Sequence, residues 1–208
     1  MNSYAEVQCG QTNANGQAAG TAQAFIIDGT NAAPGEACWY VSLKITVCSA
    51  FLCQTSFCGG SILNQTIVVT AAHCVRSLFE IPFITHKQVE VCTGVLYLND
   101  NSDGKKCYNT TSIRVHPLYN FFPISPILFA ANDIAVINVL LDNFQLTENG
   151  YGSTCPICPP NPETDYTKSS CFAVGLGINN SGQLAQTLQK ASMHIVDFLQ
   201  CASAYALQ

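Results

Sequence analysis

The sequence predicts an all-β protein, a barrel or sandwich of short strands followed by a second, smaller β stretch. Short segments rich in Val, Ile, Thr, Phe and Tyr recur between Gly, Asn and Pro clusters from Phe25 onward. A helical period is scarcely visible anywhere. A Pro-rich connector, "CPICPPNPETDY" at 155–166, divides a long first run of strands from a short second one.

Residues 1–24 are rich in Gly, Ala, Gln and Asn with little apolar periodicity, which reads as a flexible leader anchored by Cys9. The first strand candidate is "WYVSLKITV" at 39–47, where Trp39 is expected to pack in the core. "GSILNQTIVVTA" at 60–71, "QVEVCTGVLYL" at 88–98, "SIRVH" at 112–116 and "DIAVINVLL" at 133–141 follow. Beyond the connector come "CFAVGLG" at 171–177 and "QTLQKASMHIVDF" at 186–198. That is material for about three strands, too few to close a second barrel.

A chain of 208 residues, 48% of them apolar, can bury a substantial core, and a mean hydropathy of +0.21 marks a globular composition. Only 10% of residues are charged and the net charge is −5, so no basic stripe gathers for a phosphate backbone or anionic lipid. Neither nucleic acid nor a membrane is an expected partner. Apolar runs such as "IAVINVLL" at 134–141 fall far short of the roughly 18 residues that span a bilayer.

Twelve cysteines suit an oxidising compartment, where they can pair. Acceptor sequons at Asn64, Asn109 and Asn179 point the same way, so a secreted glycoprotein is expected. Yet "MNSYAEVQCGQTNANGQAAG" has neither the basic start nor the apolar run of a signal peptide. The true start is therefore expected upstream, or the chain is an excised piece.

Two residues stand out. His73 in "VTAAHCV" at 69–75 follows an apolar run, which puts its ring at the end of a strand, partly buried. Asp133, between "FAAN" and "IAVI", is a carboxylate in an apolar segment and needs a hydrogen-bond partner. A buried Asp accepting from a histidine Nδ1–H satisfies both groups and leaves Nε2 free to take a proton. Taken alone, each has a plain structural explanation, a satisfied core histidine and a capping aspartate.

"CGGSILNQTIVVTAAHC" at 58–74 and "NDIAVINV" at 132–139 closely resemble the histidine and aspartate motifs of the chymotrypsin/trypsin-like serine endopeptidases. "IIDGTNAAPGEACWYVSL" at 26–43 resembles the start of their mature domain, and "CFAVGLG" with "SGQLAQTLQKASMHIVDFLQC" the opening of their second barrel. The resemblance implies two antiparallel β-barrels with the active site between them, the first complete here and the second only partly present. It implies a leader at 1–25, a first barrel lobe at 26–150, an interlobe linker at 151–170 and an incomplete second lobe at 171–208. His73 is then the general base toward a serine and general acid toward the leaving amine, with Asp133 orienting it. Protein or peptide substrates and protease inhibitors are the implied partners, with no cofactor and no metal.

The family nucleophile lies in a Gly-Asp-Ser-Gly-Gly segment, and these 208 residues contain none. Ser61 in "CGGSIL" belongs to the strand before His73, and Ser181 in "NNSGQ" reads as a turn; neither fits the nucleophile's needs. The chain is expected to be C-terminally truncated and, as written, inactive. At the other end Ile26 follows "AQAF", so a trypsin-like activator finds no Arg or Lys to cut after, while a cut after Phe25 remains open. Asp28 stands where relatives usually carry glycine.

The resemblance pairs Cys58 with Cys74 across the histidine loop, a closure that stabilises by about 3 kcal/mol in the chain-entropy model. A metal site is the alternative for a Cys beside a His, but no second His/Cys set at zinc spacing accompanies it. Cys158 resembles the cysteine that tethers the leader, which makes Cys9 its partner. The C-x-x-C spelling of Cys155 and Cys158 also permits a redox motif or half a zinc site. Cys171 and Cys201 resemble cysteines whose partners are not among these residues, so they stay unpaired or pair with each other. Cys38, Cys48, Cys53, Cys92, Cys107 and Cys155 have no assigned partners; Cys48–Cys53 across a hairpin and Cys92–Cys107 between neighbouring strands are the working choices. His86, His116 and His194 read as structural.

Three functions compete: part of a secreted serine endopeptidase, a non-catalytic secreted homologue acting as a binding or decoy module, and an unrelated cysteine-rich adhesive domain. The first expects the message to continue past Gln208 into a Gly-Asp-Ser-Gly-Gly segment; the last treats both matched motifs as accidents.

Overall fold

The computed structural model describes residues 9–10, 29–80, 83–98, 104–124, 127–139, 154–177 and 185–206. In chain order they form β1 (Thr30–Asn31), β2 (Tyr40–Ser49), β3 (Cys53–Ile62), β4 (Ile67–Thr70), α1 (Ala72–Glu80), β5 (Ile84–Thr93), β6 (Lys106–Val115), β7 (Asn120–Ile124), β8 (Ile127–Ala131) and β9 (Ala135–Val139). Then come β10 (Ser170–Gly175), β11 (Gln189–His194) and α2 (Phe198–Ala206).

Six strands close into an antiparallel barrel in the order β2-β3-β4-β9-β6-β5. The β2 sequence shows how: Leu43, Ile45 and Val47 turn inward and are buried, while Lys44 between them is exposed. Val41, Ile62, Val68, Val91 and Ile137 complete the interior. Gly60 is required by close approach, since a Cβ there would lie 2.9 Å from the Val69 carbonyl oxygen.

A second, three-stranded antiparallel sheet, β1-β11-β10, takes β1 from the 26–150 stretch expected in the first barrel and pairs it with β11. Between it and the barrel sits a smaller core that includes Ala32, Tyr40, Leu96 and Leu188, with Trp39 half-buried at its rim against Phe172, ring centroids 6.2 Å apart. Burial pushes the Tyr40 phenol up to about 12, partly offset by its backbone hydrogen bond with Leu176. Lys190 of β11 pairs with Glu36, and Gln189 donates to the Asn31 side chain at 2.5 Å. The fold is thus the chymotrypsin type, with one closed barrel and a partial second sheet.

Several elements differ from the sequence expectation. Two helices are present where none was read. The segment at 88–98 ends as a strand at Thr93, because Gly94 turns into the left-handed region at φ 64°, and Tyr97 then makes only an isolated bridge to Thr187. The segment at 186–198 splits: β11 stops at His194 and α2 starts at Phe198. The α2 start is locally encoded, with Asp197 Oδ1 accepting from the Gln200 amide at 2.8 Å. The hairpin β7–β8 lies apart from both sheets.

Five disulfides join the described cysteines: Cys9–Cys158, Cys38–Cys155, Cys48–Cys53, Cys58–Cys74 and Cys92–Cys107. Cys155 and Cys158 therefore pair with separate distant partners rather than forming a redox couple. Cys171 and Cys201 are free thiols. No described helix is long and apolar enough to cross a membrane.

Candidate functional site

The barrel register builds the site. Thr70, last residue of β4, pairs with Ala135, first residue of β9. The chain leaving β4 therefore runs beside the chain entering β9, and this sets Ala72 and His73 next to Asp133. The approach to β9 is shaped by Asn132, which takes φ 56°, a left-handed conformation asparagine tolerates. Its side-chain amide donates to the Leu118 carbonyl at 2.9 Å, and its carbonyl accepts from the Ile134 amide at 2.7 Å, so Asp133 sits at the apex of a tight turn.

His73 occupies the first turn of α1, not the end of a strand. Its helix lacks a local capping side chain, and Asp133 supplies the cap from 60 residues away: Oδ1 accepts from the His73 backbone amide at 2.8 Å. The other carboxylate oxygen, Oδ2, lies 2.7 Å from His73 Nδ1. An ionised carboxylate only accepts, so Nδ1 carries the proton and Nε2 is left as the base. The His73 side chain is 59% exposed, more open than the partly buried ring the sequence suggested, and that of Asp133 is 27% exposed, half-buried rather than fully buried.

Partial burial pushes the Asp133 carboxyl up. The hydrogen bond from the His73 ring, the His73 backbone amide, the imidazole charge and the Ala72 amide outweigh it and hold the group below the usual carboxylate range. The acid is therefore ionised down to a lower pH than an ordinary aspartate.

The Cys58–Cys74 bridge, at a sequence separation of 16, ties β3 to the first turn of α1 and limits how far His73 can drift. Cys74 Sγ lies 3.6 Å from His73 Nε2. The ligand atoms of Cys58, His73 and Cys74 fall within 4.8 Å of one another, as do those of Glu90, Cys92 and Cys107. In both groups the two sulfurs are already bonded to each other, so neither offers the thiolates a metal would need.

Among the described residues, no serine or threonine hydroxyl hydrogen-bonds to His73. Ser61 is held in β3, paired in register with Val69 and Tyr40. Ser181 and Asn179 lie outside the described residues, as do Ile26 and Asp28. His116 Nδ1 accepts from the Leu118 amide at 3.2 Å, while His86 and His194 are exposed on β5 and β11, away from the pair. Asn64 and Asn109 are both exposed, the first on the β3–β4 turn and the second in β6. The backbone amides of Ala72 and His73 and the turn residue Asn132 escaped sequence reading. The "ND" pair, in which Asn tolerates positive φ, is the signal that could have marked the turn.

A family model described as Trypsin matches residues 26–208. Fibrinolytic enzyme, isozyme C, of Lumbricus rubellus is 29% identical over 180 residues, which cover 86% of this chain and 66% of that protein. Chymotrypsin-like elastase family member 1 of Homo sapiens is 32% identical over 148 residues, 71% of this chain and 51% of that protein. A solved structure titled "Structure of GrC" superposes with a TM-score of 0.63 at 17% identity, covering 85% of this chain and 68% of that one; this likeness concerns fold alone. The chain thus spans about half to two thirds of the length of these curated relatives.

Proposed function

The chain belongs to the trypsin family of serine proteases, and from that premise we propose that it carries the base-and-acid half of a serine endopeptidase site. The reading is supported chiefly by the His73 Nδ1 to Asp133 Oδ2 contact of 2.7 Å beside an exposed imidazole. In the proposed reaction a serine hydroxyl attacks the scissile carbonyl while its proton passes to His73 Nε2. Asp133 keeps the ring in the correct tautomer and stabilises the imidazolium. His73 then returns the proton to the leaving amine. Substrates are proteins or peptides, and protease inhibitors that fill the same cleft are natural partners. Five disulfides favour a secretory route and extracellular work, with the exposed Asn64 and Asn109 as glycan acceptors.

The 208 residues by themselves do not hydrolyse peptide bonds, because nothing described presents a hydroxyl to Nε2 and no Gly-Asp-Ser-Gly-Gly segment occurs among them. That same vacancy of chemistry favours a second reading, a secreted homologue that binds rather than cuts. The two readings separate on any natural product that joins these residues to a Gly-Asp-Ser-Gly-Gly segment. The endopeptidase reading expects hydrolysis of a peptide substrate and a fall in kcat on the order of 10⁴-fold or more for His73→Ala. A His73→Ala variant as active as the parent would end it.

A further inference from the structure

Two neighbouring strands of the barrel pair over only part of their length. Between β5 and β6 the register runs from Glu90↔Asn109 to Thr93↔Lys106 and no further. Residues 84–89 of β5 bond on to β2, and residues 110–115 of β6 bond to β9, so the two strands fork at Asn109. Between the diverging edges lies a cavity of about 690 Å³, lined among the described residues by groups that include His86, Gln88, Asn109, Thr111 and Ser112. Two strand edges facing one groove are a template for pairing with another chain, a hazard that folded proteins cover or blunt.

Asn109 sits at the vertex of this fork and opens the sequon Asn109-Thr110-Thr111. Its side chain is exposed, and Gln88 Nε2 donates to its Oδ1 at 2.8 Å. That bond holds the amide in place and does not use Nδ2, the atom that takes a glycan. The β6 register slips between Thr110 and Ser112, so Thr111 is the extra residue of a bulge, a second device by which edges are turned away from partners. The Asn64 sequon differs: it lies on a turn, its Oδ1 accepting from the Thr66 amide at 2.9 Å and the Thr66 hydroxyl at 3.0 Å, and it does not line the groove.

We propose that Asn109 carries an N-linked glycan that lies in the β5–β6 groove and covers the open edges of the barrel. The inference rests on the secretory part of the function proposed above. Asn109 Nδ2 attacks the anomeric carbon of a lipid-pyrophosphate-linked oligosaccharide; an N–C bond forms, the C–O bond to the pyrophosphate breaks, and Nδ2 gives up one proton as the lipid pyrophosphate leaves. The sugar hydroxyls then find polar partners along the groove in Gln88 and His86, which suits a carbohydrate better than an apolar side chain.

The test is to produce the full chain in a eukaryotic secretory host and map glycans by peptide mass, with Asn64 as the internal reference. The Asn109 peptide should lose its glycan mass on amidase treatment, Thr111→Ser should keep the modification, and Asn109→Gln should lose it. Trimming the glycan from the folded protein should speed amide hydrogen exchange at 84–89 and 110–115 and leave 40–47 unchanged. A bare Asn109 beside a modified Asn64 overturns this inference alone; both asparagines bare overturns it together with the secretory reading. Modification of Asn109 with no change in exchange on trimming overturns the seating in the groove.

Discussion

In β2 of the barrel, Leu43 and Ile45 are fully buried and the alternate residue Lys44 faces water. In β10 of the three-stranded sheet, Phe172 keeps 41% of its surface exposed, and beyond it Met193, Ile195, Val196, Phe198 and Leu199 are open as well. Both regions are antiparallel and both draw on the same residue types. The difference is closure: every barrel strand pairs on both sides, β5 and β6 with each other over part of their length, whereas among the described residues β10 pairs only with β11. The cysteines follow the same division, oxidised in the barrel and its tethers but free at Cys171 and Cys201. β4, β9 and α1, the elements that set the His73–Asp133 pair, all belong to the closed side. The pair is therefore assembled by the barrel and does not wait for the second lobe.

The sharpest way to break this contrast is to remove equivalent apolar bulk from each region. Ile137→Ala, at a fully buried site, should cost about 2–5 kcal/mol by denaturant unfolding. Phe172→Ala should cost far less, since much of that ring is already in water. Equal costs would mean that the sheet is as firmly packed as the barrel.

Next in size is the Cys58→Ser/Cys74→Ser double variant, expected to lose about 3 kcal/mol of stability. Its heteronuclear spectra should change around α1 and β3 and leave β10 and β11 untouched. A change spread evenly over both lobes would erase the proposed independence of the site.

A smaller effect is expected at the pair itself. Asp133→Asn should cost about 1–2 kcal/mol at neutral pH, because a charged cap and the imidazole bond are lost together. The folded Asp133 carboxyl lies below its ordinary value of about 4, so its contribution is present above that pH and fades as pH falls through the lowered folded value. Stability curves of parent and variant should therefore converge on acidification. Curves that stay parallel from pH 7 to strong acid would contradict the ionised cap.

Much of the closed side was legible before any coordinates. The β-branched run at 39–47 matches β2, whereas the run at 60–71 is broken into the end of β3, a turn at 63–66 and β4; the apolar setting of Asp133 announced a carboxylate in need of a partner. What escaped has physical causes. Helix α1 follows directly on the β-branched "IVVT" of β4 and has no capping side chain of its own, since its cap comes from Asp133, 60 residues on. That same cap draws His73 out of the strand and toward solvent. Helix α2 did carry a local sign, Asp197 three residues before Gln200, which an apolar run leading into it obscured. The β7–β8 hairpin contains Pro123, a residue that argues against a strand. The Cys38–Cys155 bridge spans 117 residues, and no local pattern signals a pairing at that range.

The central proposal is that His73 and Asp133 form a proton-handling pair to which no hydroxyl among the described residues is presented. Intact-mass analysis of the purified 208-residue chain after treatment with an organophosphonate serine probe tests it most directly. The account predicts no adduct, in the parent and in His73→Ala alike. A single stoichiometric adduct on one serine, lost in His73→Ala, would contradict it.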